Sequence, residues 1–322
     1  MEWIENLYKQ VLEGYPISKE EAYQLNKYDV DVLRKYAKNI QEELCGNTFD
    51  LCAIVNGKSG ACSEDCKYCA QSAHYATEIQ TYPLLDAEAF IQDASNNQQE
   101  GVLRYSIVTS GKRLSKKEVK DIAEIYRQIG EKCELKLCAS HGLLDEEDFI
   151  KLRQAGVVRY HNNLETSRRY FPSICTTHTY EDKVKTIKAA QKVGLEVCSG
   201  GLFGMGENME DRIDMAFELR ELGVNSIPIN VLVPIPGTPM AHILPISEEE
   251  ILKSIAIYRF IHPKAFIRLA GGRMKLTDNG KLAFEGGANA TITGNLLTTC
   301  GNTIQEDIRM LSALGFEVKL DE

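Results

Sequence analysis

Eight short apolar runs, each followed by a polar amphipathic stretch, succeed one another along this chain, and that alternation limits its fold more than any other feature. The runs cover residues 49–56, 104–109, 135–139, 157–161, 195–200, 226–233, 265–270 and 288–293. Helix-like segments lie between them at 115–130, 145–155, 180–193, 209–222 and 247–261. Ser115 and Asp145 stand where helix N-caps belong, and Ser247 with Glu250 fits a capping box. Strands separated by helices imply a parallel sheet, because parallel neighbours can be joined only by crossover connections. Eight such units close a barrel. The expected fold is therefore α/β, a (β/α)8 TIM-type barrel, with an open doubly wound sheet as the structural alternative. Residues 1–45 read as an N-terminal helical extension, 46–316 as the barrel and 317–322 as a C-terminal tail. Active-site groups of such a barrel belong at the C-terminal ends of the strands and in the loops that follow.

The loop after the first run carries Cys62, Cys66 and Cys69 in C-x3-C-x2-C spacing, with Tyr68 just before the third cysteine. Three thiolates on one short loop can hold three irons of a 4Fe–4S cluster and leave the fourth open to a small ligand. A structural zinc site would call for a fourth protein ligand nearby, and no second C-x2-C or H-x3-H follows. Free thiols at such a place would be reactive to no evident end. The spacing matches the cluster motif of radical S-adenosylmethionine (SAM) enzymes, in which SAM chelates the open iron.

Charge and composition narrow the partners. The net charge of −9, from 46 acidic and 37 basic residues without a basic block, argues against nucleic acid and anionic membranes. No apolar run is long enough to cross a bilayer. Met1 is followed by an acidic amphipathic stretch, not by a leader sequence. Ten cysteines in such a chain point to a reducing, cytoplasmic setting and to metal work.

Further stretches, taken in order, give a closer resemblance. Gly60-Ala61-Cys62 through Cys69, Asn162-Asn163-Leu164-Glu165-Thr166-Ser167, Val197-Cys198-Ser199-Gly200-Gly201, Ile227-Pro228-Ile229-Asn230, Ile267-Arg268-Leu269 and Leu297-Thr298-Thr299 resemble the biotin synthase family, over residues 45–316. The resemblance implies sulfur insertion between C6 and C9 of dethiobiotin. One electron from the Cys62/Cys66/Cys69 cluster would cleave SAM, and the resulting radical would abstract hydrogen from an unactivated carbon. Such chemistry must be carried by a cofactor, since side chains have nothing to work on there.

By the same resemblance, Asn163 and Glu165 would hold the SAM ribose, with Glu165 standing where the family usually has Asp. Asn163 would also reach the substrate ureido group. Lys183 would face the methionine carboxylate in place of an Arg, with charge retained and bidentate geometry lost. Tyr68 would pack near the adenine, and Gly200 and Gly201 would let backbone approach the cofactor. Asn230 would bond the ureido carbonyl, and Thr298 and Thr299 the substrate carboxylate.

The sulfur source departs from the better-known pattern of three cysteines and one arginine around a 2Fe–2S cluster. Cys138, Cys198 and Arg268 match three of those positions, but the fourth is Ser106, a poor iron ligand beside the softer thiolate. Cys300 is expected to compensate. With Cys138 and Cys198 it would hold a larger auxiliary cluster, most simply 4Fe–4S with an extra sulfide, resembling a variant arrangement in biotin synthases of anaerobes. Cys52 reads as a small core residue, and Cys45, Cys133 and Cys175 as non-ligands. His141 and His161 are expected at strand ends facing the barrel mouth, and His178, His242 and His262 in solvent or satisfied locally. A flavodoxin or ferredoxin reductant and a homodimer follow from the resemblance. The rivals are another radical SAM barrel, of hydrogenase maturase or methylornithine synthase type, and a non-catalytic iron–sulfur or zinc protein.

Overall fold

A computed structural model describes residues 1–295, 297 and 301–320. Eight parallel strands close on themselves: β1 (Thr48–Lys58), β2 (Arg104–Thr109), β3 (Lys136–Ser140), β4 (Val157–His161), a fifth strand in two pieces, β5 (Glu196–Cys198) and β6 (Gly201–Phe203), then β7 (Ser226–Val231), β8 (Phe266–Leu269) and β9 (Ala290–Thr293). Closure is made by β1 against β9, with Asp50 opposite Ala290 and Cys52 opposite Ile292. The expected barrel is the observed one.

Before the barrel run three helices, α1 (Glu2–Leu12), α2 (Lys19–Leu25) and α3 (Val30–Cys45). Eight more follow within or after it: α4 (Ala87–Gln99), α5 (Lys116–Lys132), α6 (Glu146–Gln154), α7 (Tyr180–Lys192), α8 (Met209–Glu221), α9 (Glu248–Ile261), α10 (Lys281–Phe284) and α11 (Ile304–Ala313). Each crossover helix turns an apolar stripe to the sheet. In α5, Val119, Ile122, Ala123, Tyr126 and Ile129 are buried at the three- and four-residue spacing of one helix face. Its start is fixed by the Ser115–Glu118 capping box. Asp145 caps α6 through the Asp148 amide. Ser247 caps α9, but the expected box there stays open, because the Glu250 carboxylate is taken by Arg212 at 2.7 Å. The N-terminal helices lie outside the barrel, α3 packing on α9 and α2 on α8. Residues 317–318, expected within a tail, form a short strand, β10 (Glu317–Val318), parallel to the start of β1.

Candidate active site in the barrel

Alternate residues of every strand point into the barrel, and their chemistry changes along its axis. Asp50 on β1 forms part of the floor. Its Oδ2 accepts from Arg104 Nε at 2.7 Å and Arg159 Nη1 at 3.2 Å, and Arg268 Nη2 stands 3.2 Å away. Burial alone would raise the Asp50 pKa, yet Arg268, Arg104 and Arg159 together hold its carboxyl well below the usual range. Arg159 also pairs with the more exposed Glu196 at 2.8 Å, so two carboxylates face three guanidiniums and positive charge is left over. Arg268 Nη2, close to Asp50 but not in hydrogen-bonding geometry, is a buried donor without a partner. Such a floor favours an anion above it.

What stands above is a set of thiols. Cys52, the next inward residue on β1, neighbours Cys138 on β3, its own sulfur donating to Ala53 O at 3.5 Å. Both line the same cavity of about 430 Å³ as Ser106, Cys198 and Arg268. The pKa of Cys138 is lowered chiefly by the neighbouring Cys52 thiol, then by Arg159 and Arg104, against the effect of burial. Burial opposes ionisation of Cys198, but contact with the His161 ring, and the Arg268 and Arg159 charges, bring it down to about 6. Ser226 donates to its sulfur at 3.3 Å. Cys52 is buried, as expected of a small core residue, and it also faces the cavity. It is a third thiol in the barrel, on the strand beside the one where Ser106 lacks its sulfur.

Toward the mouth the same cavity is walled by the loop after β1, with Cys62, Cys66, Tyr68 and Cys69. Burial raises the Cys69 thiol to about 11, and the bond to Cys175 together with burial raises Cys66. A bound cation would relieve that penalty, which suits a metal-holding loop. Tyr68 is partly buried beside the Glu165 carboxylate; desolvation first and that charge second push its phenol up. Glu165 itself adopts a left-handed backbone, φ 72°, uncommon for a residue other than glycine. Its peptide bridges to the fifth strand, with Glu165 N donating to Gly200 O at 3.1 Å and Leu202 N to Glu165 O at 2.8 Å. Asn163, Glu165 and Lys183 all reach the cavity.

Gly200 and Gly201 do not line it. A Cβ at Gly200 would lie 1.9 Å from Pro228 O, and one at Gly201 2.6 Å from Glu165 O. The close approach they permit here is to the chain's own backbone. Asn230 lines the cavity but is also a tie, donating to Gly201 O at 3.1 Å and accepting from Gly271 N at 2.9 Å. Asn162, beside Asn163, brings a buried Oδ1 without a partner to the same wall. Thr298, Thr299 and Cys300 lie outside the described residues; Leu297, just before them, lines the cavity.

Comparison with known proteins decides what this constellation belongs to. Residues 58–231 match the Radical SAM superfamily, and residues 228–317 match the Biotin and Thiamin Synthesis associated domain. Biotin synthase of Akkermansia muciniphila is 54% identical over 315 residues, covering 98% of each chain. Biotin synthase of Clostridium botulinum strain Alaska E43 is also 54% identical, covering 99% of this chain and 100% of that one. The chain belongs to the biotin synthase family. Members of the biotin synthase family are radical SAM enzymes that insert sulfur, and the superfamily implies a 4Fe–4S cluster and SAM. Two solved structures share the fold alone: methylornithine synthase, with TM-score 0.84 and 20% identity over 98% of this chain and 97% of that one, and the hydrogenase maturase HydG, at 0.85 and 17%, over 98% and 75%. Both rival barrels of the sequence reading are thus fold relatives, while the biotin synthases match at full length.

Within this biotin synthase barrel the expectation for His141 changes. His141 is buried away from the cavity, between Thr109 Oγ1 at 3.0 Å and the Tyr126 hydroxyl at 3.1 Å. Of the two alternatives for His178, the structure has the second: it is buried and satisfied by Glu64, 2.7 Å from Oε2. The sulfur of Cys175 lies 3.8 Å from that of Cys66. Among the described residues no helix is long and apolar enough to cross a membrane.

Proposed function

We propose that this chain converts dethiobiotin to biotin with sulfur drawn from an auxiliary cluster held by Cys52, Cys138 and Cys198 over Arg268. The observation that carries this reading is the meeting, in one cavity, of three thiols and a guanidinium whose Nη2 has no hydrogen-bond partner, above a floor with surplus positive charge. An anionic iron–sulfide core suits that surplus, and a larger core than 2Fe–2S suits thiolates spread over β1, β3 and β5. Cys300, the third thiolate expected from sequence, is tested by its own variant.

At the mouth, Cys62, Cys66 and Cys69 would hold the 4Fe–4S cluster. When bound, that cluster and SAM supply a carbon radical able to take hydrogen from an unactivated C–H bond. The residues of the chain bind and orient. Lys183 offers a cation to the methionine carboxylate, Asn163 and Glu165 offer polar groups to the ribose, and Tyr68 closes the wall beside them. Asn163 and Asn230 would meet the ureido group, and Thr298 and Thr299 the substrate carboxylate. The largely apolar remainder of the wall, such as Ile54, Val108 and Ile292, keeps water from the reacting carbons. A flavodoxin or ferredoxin would deliver the electrons, and a homodimer in the cytoplasm is the expected working form.

The test is anaerobic. Reconstituted protein with SAM, dithionite and dethiobiotin should yield biotin and 5′-deoxyadenosine by mass spectrometry. Deoxyadenosine without biotin, from protein with a full complement of iron and sulfide, would overturn the assignment of substrate.

A further inference from the structure

The loop that carries Cys62, Cys66 and Cys69 is stitched to a second loop, residues 174–178. Lys67 N donates to Ile174 O at 2.9 Å, and Asp65 N to Thr177 Oγ1 at 3.1 Å. Asp65 Oδ1 accepts from Thr176 N at 2.8 Å and Thr177 N at 3.1 Å. The stitching brings a C-x2-H pair, Cys175 and His178, behind Cys66. The Cys66 and Cys175 sulfurs are 3.8 Å apart, and His178 Nδ1 is 3.2 Å from Cys175 Sγ. The ligand atoms of Cys66, Cys175 and His178 all lie within 4.8 Å of one another.

These separations match a single ion. Two thiolates bound to one tetrahedral zinc at ~2.3 Å each stand ~3.8 Å apart, and a thiolate and an imidazole ~3.6 Å apart. The sulfur pair already has the first spacing, and the ring nitrogen is a few tenths of an ångström inside the second. Two corners of an iron–sulfur cube would hold their thiolates farther apart. Cys175 also does not line the cavity that Cys66 and His178 face, so it stands outside the cluster site while touching one of its ligands. Glu64 Oε2, 2.7 Å from His178 Nδ1, could turn to fill a fourth position, as could solvent.

We propose that Cys66, Cys175 and His178 form a binding site for one divalent transition-metal ion, which the cluster-free protein fills and which competes with the cluster for Cys66. The competition rests on the assignment of Cys66 as a cluster ligand; the mononuclear site does not. Soft thiolates with an imidazole select zinc, cobalt or iron(II) over magnesium or calcium. An iron held there would sit at the edge of the cluster loop, and a zinc held there would block completion of the cluster.

Cobalt(II) alone is the probe, added anaerobically to reduced, cluster-free full-length protein. One equivalent should give the thiolate charge-transfer and intense d–d bands of tetrahedral cobalt. Cys175→Ala and Cys66→Ala should each weaken binding more than about a hundredfold, the upper end of what losing an outer-sphere partner costs. His178→Ala should shift the d–d bands. Cys62→Ala and Cys69→Ala should leave the spectrum unchanged. Circular dichroism of each variant shows that it is folded. Zinc added before iron and sulfide should lower cluster yield in the parent and not in Cys175→Ala. Cobalt bands that survive Cys175→Ala, or vanish in Cys69→Ala, would overturn the site. Cluster assembly in Cys66→Ala is measured separately by iron content: an intact cluster there would sink the ligand assignment while leaving the cobalt result to stand or fall by itself.

Discussion

Asp50 is the residue on which the barrel floor turns. It lies on β1, while Arg104, Arg159 and Arg268 come from β2, β4 and β8, so the group exists only once the barrel has closed. Asp50→Asn would strip Arg104 and Arg268 of their carboxylate and leave Arg159 only the more exposed Glu196, 2.8 Å away. Removing one partner of a buried ion pair costs about 3–5 kcal/mol, and we expect a loss of that size in urea unfolding of the cluster-free protein. The same closure explains what could and could not be read beforehand at Cys52. Parallel strands covered on both faces lose the alternation of polar and apolar residues. Cys52 within Leu51-Cys52-Ala53 therefore looks like packing, although its side chain points inward. Cys138, Cys198 and Arg268 were legible because their neighbours carry the resemblance, whereas Cys175 and His178 acquire a meaning only when two loops meet.

Among the elements, the fifth strand departs most from its sequence pattern. The run 195–200 reads as one strand, but β5 ends at Cys198 and β6 starts at Gly201, with the chain turning at Ser199 and Gly200. The turn lets β6 pair with β7 and brings Gly200 against Pro228. Gly200→Ala would drive a Cβ to 1.9 Å from a carbonyl oxygen that belongs to the backbone and cannot swing aside. The loss should reach at least about 3 kcal/mol, the upper part of the range for overpacking, measured by urea unfolding against a Gly223→Ala control, where nothing lies within 4 Å of the added Cβ. Gly223 has a positive φ, 67°, so the control carries backbone strain without the clash. Helix positions, by contrast, were largely readable from caps and spacing, since Ser115 and Asp145 act within their own segments. The open box at Ser247 was not, because Arg212 belongs to another helix.

For the molecule as a whole, stability should depend on two histidines that face no carboxylate partner. Burial lowers His141 and His262 to about 3, with Arg220 and Arg259 adding to the effect at His262. In the unfolded chain each would titrate near its ordinary value. Below about pH 6.5 the unfolded state takes up a proton that the folded state refuses, so stability falls with pH until about 3. Each histidine contributes about 1.4 kcal/mol per pH unit in that window. His262→Gln can keep the bond to Ala216 O without the charge, so between pH 7 and pH 5 it should lose about 2 kcal/mol less than the parent, measured in urea. The barrel's identity as a sulfur-inserting enzyme was legible from the ordered motifs; that Cys52 shares a cavity with Cys138 and Cys198 was not, because the three stand on strands far apart in sequence. The most direct measurement is therefore iron, sulfide and product in Cys52→Ala, set beside Cys300→Ala after the same anaerobic reconstitution. We expect Cys52→Ala to lose the second cluster and its biotin while still cleaving SAM to 5′-deoxyadenosine. Full iron content and undiminished biotin in that variant would contradict the account.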